Sequence, residues 1–430
     1  MVTCLIAGKT MLIALVIGFF CFFSAACKRG CSAREVGKMA GEGAKESLVV
    51  VEILVLIGML TGLWRSSGVI TFFVYYGIKI ITPHLFILIT FLLCALLSYA
   101  LGTSFGVAGT VGVIFIVLAK SGDVSLAITG GAILSGVYFG DRGSPVSSSG
   151  VLTAAVTHTN FENNVREMMK SAAIPMAICV AAYGALSYTH PIKTVDTAVM
   201  DLLSTDFHLS WLLLLPAVIV LVLPLFKVKI KITIFITIIV SFILGIAFQG
   251  DSVLRSFKYM IFGYTCPDPA LGSILNGGGL KSMVLVCAIL ALSCSYSGIF
   301  RTTRMLNGMQ HHVLHLMKKV GRFPATLITS IVLVALFCNQ TIATVMTTNM
   351  VERMYIQGHG TRTELAMDIE NSAIIVAAIV PWSLAVAVCY NIMGVGMYII
   401  PWAFFLFLVP ICWLFTKRFL FKPEKAKNKI

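Results

Sequence analysis

The sequence predicts an all-α polytopic membrane protein with about nine transmembrane helices, two re-entrant helical hairpins and two broken helices, arranged as two inverted repeats. Three observations predict it: an excess of apolar residues, uncharged segments of membrane-spanning length, and polar interruptions within such segments. Of 430 residues, 58% are hydrophobic and 12% charged, whereas soluble domains have about 45–50% and 25%. The surplus apolar surface must face lipid, which excludes a soluble enzyme, a disulfide scaffold and a nucleic-acid-binding protein.

Apolar segments long enough to cross about 30 Å of hydrocarbon recur along the whole chain. They are residues 11–26, 49–64, 127–157, 172–187, 211–226, 232–248, 282–300, 369–392 and 399–415. The first segment could instead be a secretory signal, because it ends in the small residues Ser24-Ala25-Ala26. Lys28-Arg29 follows the segment while only Lys9 precedes it, which favours a retained helix with its N-terminus outside.

Two further apolar segments, residues 85–119 and 323–350, are interrupted near their middle by small and polar residues. Exposed loop backbone is unstable in lipid, so such breaks must be buried in protein or line a cavity. We therefore expect re-entrant hairpins with turns at Gly102-Thr103-Ser104-Phe105-Gly106 and Asn339-Gln340-Thr341. Each hairpin enters and leaves on one side and does not change the span count.

The distribution of basic residues sets the orientation. With the N-terminus outside, most of the 32 Lys and Arg residues fall on one face, which is typical of the cytoplasmic side. This asymmetry explains the net charge of +14 as an anionic-lipid contact surface. The C-terminus is then cytoplasmic.

The order of segments repeats, which divides the chain into two halves. Repeat one is residues 1–190, with hairpin 85–119 and broken helix 127–157; repeat two is residues 211–416, with hairpin 323–350 and broken helix 369–392. Residues 191–210 form an extracytoplasmic linker, and residues 417–430 form a basic cytoplasmic tail. An odd number of crossings separates the hairpins, so the repeats are inverted, as in secondary transporters with a substrate site at the midplane.

Two carboxylates, Asp141 and Glu370, fall within predicted broken helices and are the strongest site candidates. An acid at the bilayer centre costs roughly 2.5–3.5 kcal/mol and is functional by default. The alternative for Asp141 is a structural salt bridge with its neighbour Arg142. We expect Asp368 to cap a helix N-terminus, and Glu52 to snorkel or to contribute to a site.

Hydroxyl and amide groups surround these acids in the predicted breaks and turns, and their oxygens suit Na⁺ or an organic carboxylate equally well. Interhelical hydrogen bonding is the alternative role. The candidate ion- or substrate-binding residues are Asp141, Glu370, Thr103, Ser104, Ser144, Asn339, Gln340, Thr341, Asn371 and Ser372. A sodium ion is expected at Asp141, Thr103, Asn339 and Thr341.

The chain resembles the NhaC-type Na⁺/H⁺ antiporters of the ion-transporter superfamily from about residue 35 to residue 415. The resemblance lies in the runs at residues 102–112, 140–147, 275–283 and 363–372 and in Val380-Pro381-Trp382. It implies a bacterial inner-membrane location, a scaffold and a transport domain, elevator-like movement and a homodimer.

The sequence departs from that family's pattern in three places, of which the first two bear on the number of cations carried. Ser147-Ser148 stands where the family has Ser-Asp, and Glu370-Asn371-Ser372 where it has Glu-Asp-Ser, so two expected carboxylates are neutral. The family's first helix has no counterpart before Met1, which gives nine spans rather than ten.

The residues and the resemblance together predict a monovalent-cation/proton antiporter that exchanges Na⁺ for H⁺ by alternating access, with no cofactor. The main alternative is a Na⁺- or H⁺-coupled transporter of an organic acid or amino acid, because fewer carboxylates repel an anion less. A channel or a non-transporting scaffold is a third alternative, which the paired broken helices disfavour.

Overall fold

A computed structural model describes residues 11–80, 82–192, 197–226, 228–268, 271–272, 275–303, 309–357 and 360–420. In these ranges the chain is helical and contains no strand, apart from one isolated bridge between Tyr264 and Gly277. The predicted all-α class is confirmed. Residues 1–10 of the possible signal and residues 421–430 of the basic tail lie outside the described ranges.

Ten helices form the part of the chain up to residue 206. They are α1 (Met11–Lys28), α2 (Ala33–Glu46), α3 (Leu48–Ser66), α4 (Val69–Ile80), α5 (Phe86–Leu101), α6 (Ser104–Ser121), α7 (Leu126–Gly143), α8 (Ser148–Thr157), α9 (Phe161–Thr189) and α10 (Thr197–Asp206). Helix α10 lies within the segment predicted as a linker.

Ten more helices form the described part after residue 206. They are α11 (Leu215–Leu225), α12 (Ile230–Gln249), α13 (Val253–Phe262), α14 (Leu280–Thr303), α15 (Met309–Val320), α16 (Arg322–Phe337), α17 (Gln340–Gln357), α18 (Arg362–Ile369), α19 (Leu384–Ile392) and α20 (Phe404–Leu420).

Apolar helices of membrane-spanning length identify a membrane protein. Within the described residues, five continuous segments are long and apolar enough to cross, or six if the bent pair α2–α3 forms one span. The five are Pro83–Leu101, Ser104–Ser121, Phe161–Thr189, Ile230–Gln249 and Leu280–Phe300. Two of them are the legs of the first predicted hairpin. The count of nine spans, the re-entrant hairpins and the inverted repeats stay predictions.

The first hairpin turns where it was predicted. Gly102 adopts a left-handed conformation (φ +65°), and a Cβ there would lie 2.6 Å from the carbonyl carbon of Val146. Thr103 then caps α6 by accepting a hydrogen bond from the N–H of Gly106. Glycine is needed at residue 102 for both its conformation and the close approach of the α7–α8 break. The turn therefore lies directly against the break that follows Asp141.

The second hairpin turns at Cys338, between α16 and α17. Cys338 is also left-handed (φ +56°), and the Asn339 side chain accepts a hydrogen bond from the N–H of Ile342 (3.3 Å). The carbonyl of Cys338 accepts a hydrogen bond from the N–H of Leu384 (2.8 Å), at the start of α19. Each hairpin turn thus touches a broken-helix segment of its own half.

The two broken helices differ. The first break was predicted over Asp141-Arg142-Gly143-Ser144-Pro145. Helix α7 ends at Gly143 and α8 begins at Ser148, so the break lies at Ser144-Pro145 and the two residues after it, and Asp141 and Arg142 remain inside α7. In the second half, Glu370–Ile374 forms a π-helical turn, and the chain leaves the helix only at residues 377–383, around Pro381. The second break was predicted at Glu370-Asn371-Ser372 with Pro381-Trp382 further on. The structure places it around Pro381 and not at Glu370, because a π turn keeps the backbone at residues 370–374 hydrogen-bonded, and π turns are frequent at functional sites.

Candidate functional site

Asp141 lies near the end of α7, where the first break meets both hairpin turns. The residue is buried, with 7% of its surface exposed. The backbone N–H of Ser104 and the side-chain amide of Gln340 lie beside its carboxylate. The Gln340 Nε2 atom makes no hydrogen bond to any described residue. Residues from α6, α7 and α17 therefore face one polar point inside the helical bundle.

Tyr138, one turn before Asp141, belongs to the same group although sequence reasoning missed it. Its fully buried hydroxyl donates a hydrogen bond to the carbonyl of Ala385 (2.7 Å) and lies near Asp141 and the Ser104 hydroxyl. Spacing of three residues places Tyr138 and Asp141 on one helix face, which is the signal that could have found it. The phenol connects α7 to the start of α19.

Serine hydroxyls form hydrogen bonds with backbone groups at the first break. Ser144 Oγ donates to the carbonyl of Tyr99 (2.6 Å) and accepts from the N–H of Val146 (3.1 Å). Ser149 Oγ donates to the backbone carbonyl of Asp141 (2.7 Å), and Ser147 Oγ binds the same carbonyl. These hydroxyls satisfy backbone groups that the break would leave free. Ser144 thus joins the break to the first hairpin.

Glu370 lies in the π turn and has no exposed surface. Neither of its carboxylate oxygens has a hydrogen-bond partner among the described residues. Asp141 and the Arg142 guanidinium lie close enough to act on it electrostatically. The Thr153 hydroxyl is also near, but it donates its proton to the carbonyl of Ser149 (3.0 Å).

Arg142 is fully buried and turns away from Asp141 toward the second broken helix. Its Nη2 atom donates to Asn371 Oδ1 (2.7 Å) and to Ser171 Oγ (2.6 Å). No ion pair joins Arg142 to a carboxylate among the described residues. The alternative of an Asp141–Arg142 salt bridge is therefore wrong, and Arg142 instead connects the two broken helices.

The other predicted ligands hold local structure. Asn371 is held by its bonds to Arg142 and, through Nδ2, to the carbonyl of Met367 (2.8 Å). Ser372 Oγ donates to the carbonyl of Asp368 (2.6 Å) and bonds Ser330 of the second hairpin (3.1 Å). It therefore faces that hairpin rather than Asp141.

The remaining turn residues make other contacts or are exposed. Thr103 caps α6, Asn339 Nδ2 donates to the Sγ atom of Cys294 (3.5 Å), and Thr341 is exposed. The predicted sodium ligand set of Asp141, Thr103, Asn339 and Thr341 stays a prediction, whereas Ser104 and Gln340 lie beside Asp141.

Two other carboxylates differ in position. Asp368 is fully buried inside α18 and accepts a hydrogen bond from Trp413 Nε1 (2.8 Å), while Thr361 caps the helix. The prediction that Asp368 caps a helix N-terminus is therefore wrong. Glu52 is largely exposed and forms an ion pair with Lys231.

The comparison with known families decides the identity. The model of the Na⁺/H⁺ antiporter family matches residues 1–188 and 136–416. The chain belongs to the Na⁺/H⁺ antiporter family. Members of this family are membrane transporters, not enzymes, so the predicted family and transport class are confirmed.

Individual antiporters with different named activities are similar to the chain. The malate-2H⁺/Na⁺-lactate antiporter of Bacillus subtilis (strain 168) is 26% identical over 395 residues, which is 90% of this chain and 84% of that protein. The Na⁺/H⁺ antiporter NhaC of Alkalihalophilus pseudofirmus is 24% identical, over 86% and 81%. The arginine/ornithine antiporter ArcD of Halobacterium salinarum is 26% identical, over 90% and 84%.

Proposed function

We propose that this antiporter exchanges Na⁺ for H⁺ by alternating access and that Asp141 is the exchanging carboxylate. The observation that carries the proposal is the burial of Asp141 beside Ser104 and Gln340, where a helix break meets two hairpin turns. A buried carboxylate needs a partner of opposite charge or a proton. A proton and Na⁺ can each meet this need, and they compete for the same oxygens.

Competition at one carboxylate couples the two fluxes. When the site faces one side of the membrane, Na⁺ displaces the proton from Asp141, and on the other side a proton displaces Na⁺. Ser104 and Gln340 lie beside Asp141, and in this proposal the oxygens of their side chains would turn toward the bound Na⁺ to complete its shell. In this proposal Thr103, Asn339 and Thr341 join the shell when the hairpins move, so that the affinity for Na⁺ depends on the conformation.

The setting of this cycle is part of the proposal. Two inverted repeats would allow the site to open to each side in turn. We place the protein in the bacterial cell membrane as a homodimer, with the N-terminus outside, the C-terminus in the cytoplasm, and the basic face on anionic lipid. The Lys and Arg asymmetry of the sequence supports this orientation.

Proteoliposome flux tests the exchange. An imposed Na⁺ gradient is expected to move protons across the membrane in the absence of any organic solute. Asp141→Asn should abolish this movement, because an amide can neither release a proton nor supply a charge for Na⁺. Asp206→Asn, which changes an exposed acid at the end of α10, is the matched control and should leave the flux intact.

Other outcomes would assign another function. Na⁺-dependent uptake of labelled malate, lactate or arginine without Na⁺-driven proton movement would favour a carrier of organic acids or amino acids. Similar relatives carry such names. A conductance that ignores the imposed gradients would favour a channel. In this conformation both terminal nitrogens of Arg142 are already hydrogen-bonded to protein groups. They are therefore not available to bind the carboxylate of an organic substrate in a bidentate manner.

A further inference from the structure

A fully buried guanidinium lies within the group of residues assigned to cation exchange. Arg142 follows Asp141 directly in α7 and has no exposed surface. A fixed positive charge beside a cation site opposes cation binding, so its presence requires an explanation. A salt bridge with a neighbouring acid does not supply one, since Arg142 is paired with no carboxylate among the described residues.

Neutral partners hold the guanidinium in a fixed position. Nη2 donates to Ser171 Oγ and Asn371 Oδ1, and Nη1 donates to the carbonyl of Met168 (3.5 Å). The two side-chain partners are themselves fixed, because Ser171 Oγ donates to the carbonyl of Met168 (2.9 Å) and Asn371 Nδ2 to that of Met367. The charge of Arg142 is therefore held between α7, α9 and the π turn.

The group that this charge faces is Glu370. The guanidinium is held at the π turn by its bond to Asn371, and from there it acts electrostatically on the Glu370 carboxylate without forming an ion pair with it. Both oxygens of Glu370 and the Nε atom of Arg142 are buried and have no hydrogen-bond partner among the described residues. Burial without a hydrogen-bonded partner is costly for a carboxylate, and the nearby guanidinium offsets that cost electrostatically.

We propose that Arg142 acts as a permanent counter-charge to Glu370, in the place of a second transported cation, so that the site binds a single Na⁺ per cycle. The inference rests on the proposed Na⁺/H⁺ exchange. Asp141 and Glu370 supply two negative charges, and Arg142 supplies one positive charge that never leaves. One Na⁺ makes this buried group neutral, whereas a second would leave an uncompensated positive charge in a medium of low dielectric constant.

Equilibrium binding of ²²Na⁺ to the purified full-length protein in detergent at alkaline pH measures this number. Wild type is expected to bind a single Na⁺ per chain with a Hill coefficient of about 1. Arg142→Gln removes the built-in charge and should create a second bound Na⁺ with a Hill coefficient above 1. Adding Glu370→Gln to that variant restores the charge balance and should return the count to a single Na⁺.

Further variants separate charge from structure. Arg142→Lys keeps the positive charge but loses the planar guanidinium group with its paired donors. This variant should still bind a single Na⁺ per chain. If Arg142→Gln does not fold, Asn371→Asp adds the same negative charge with a side chain of equal size and should also bind a second Na⁺. The inference is overturned if wild type binds two Na⁺, or if the folded charge-changing variants still bind one.

Failure of the proposed function gives a different result. Wild-type protein would then bind no Na⁺ and would show no Na⁺-driven proton flux in proteoliposomes. Detectable flux together with two bound Na⁺ would overturn only the role of Arg142.

Discussion

At the scale of single residues, close backbone approach determines where Asp141 lies. A Cβ on Gly140 would fall 2.0 Å from the carbonyl carbon of Ser98 in the first hairpin. The Ser98 hydroxyl also donates a hydrogen bond to the carbonyl of Val137 (2.5 Å). Residue 140 must therefore lack a side chain for α5 to lie against α7. Because α5 leads into the first hairpin turn, this close contact places the neighbouring Asp141 beside that turn.

Replacing this glycine tests the contact. Gly140→Ala should lower the free energy of unfolding by about 1–3 kcal/mol or more, because backbone atoms of α5 must move. Thermal unfolding in detergent measures the loss, and Na⁺-driven proton flux should fall with it. Gly41→Ala is the control, since a Cβ there meets nothing within 4 Å; it should stabilise α2 by about 0.5–1 kcal/mol. Equal stability of the two variants would contradict the close-contact explanation.

A second residue-scale prediction concerns Asp251, in the loop between α12 and α13. It is largely buried and its Oδ2 atom has no hydrogen-bond partner among the described residues. Burial raises the pKa of Asp251 to about 6, partly offset by Arg255. The raised pKa means that the folded state holds its proton where the unfolded state, with a pKa near 3.8, has lost it. Its contribution to stability therefore falls as the pH rises from about 4 to about 6.

Asp251→Asn removes this dependence because an amide does not titrate. Relative to wild type, the variant should gain stability at pH 7.5 and gain less, or nothing, at pH 5. Thermal unfolding in detergent at the two pH values measures the difference. A gain that is the same at both values would show that Asp251 does not titrate as its burial implies.

At the scale of elements, a buried polar cluster joins the base of the second hairpin to the helices beside it. Asp368 of α18 binds Tyr355 of α17 and Trp413 and Lys417 of α20. Lys417 also pairs with Glu364 (2.8 Å), which pairs with Arg322 at the start of α16 (3.1 Å). Both legs of the hairpin are thereby tied to α18 and α20, so these four helices should move together.

Asp368→Asn tests this cluster. The amide leaves Lys417 with Glu364 as its one carboxylate partner among the described residues, and an amide oxygen is a poorer acceptor than a carboxylate for the three groups that surround it. We expect the free energy of unfolding to fall by about 2–4 kcal/mol, somewhat below the usual loss for breaking a buried pair. Glu167→Gln, which breaks an exposed pair with Lys170, should cost less than about 0.5 kcal/mol. Similar losses in a chemical-denaturation series would rule out a structural role for the buried cluster.

The sequence could predict some elements and not others for physical reasons. Gly102 and the Ser144-Pro145 pair are backbone constraints, so they place the first turn and the first break correctly. The run Glu370-Asn371-Ser372 is polar but contains no glycine or proline that would force the backbone out of the helix. A π turn therefore accommodates it inside a helix. Polarity alone therefore did not distinguish a broken helix from a continuous one.

At the scale of the whole molecule, composition was sufficient for the class, and local motifs were sufficient for the family. The identity of neighbours across the bundle was not predictable. Arg142 lies beside Asp141 in sequence yet binds Asn371, 229 residues away, and Asp368 meets its partner Trp413 45 residues along the chain. Such pairs depend on how helices pack, which an amphipathic pattern does not specify when nearly every helix face is apolar.

The hydrogen bond between Arg142 and Asn371 also has a consequence for adaptation. An asparagine codon becomes an aspartate codon through a single A-to-G transition, and the new carboxylate oxygen could accept the same bond from the guanidinium. Under the proposed role of Arg142, one nucleotide change would then alter how many Na⁺ ions the carrier binds, at the cost of the bond that the Asn371 amide donates to the carbonyl of Met367.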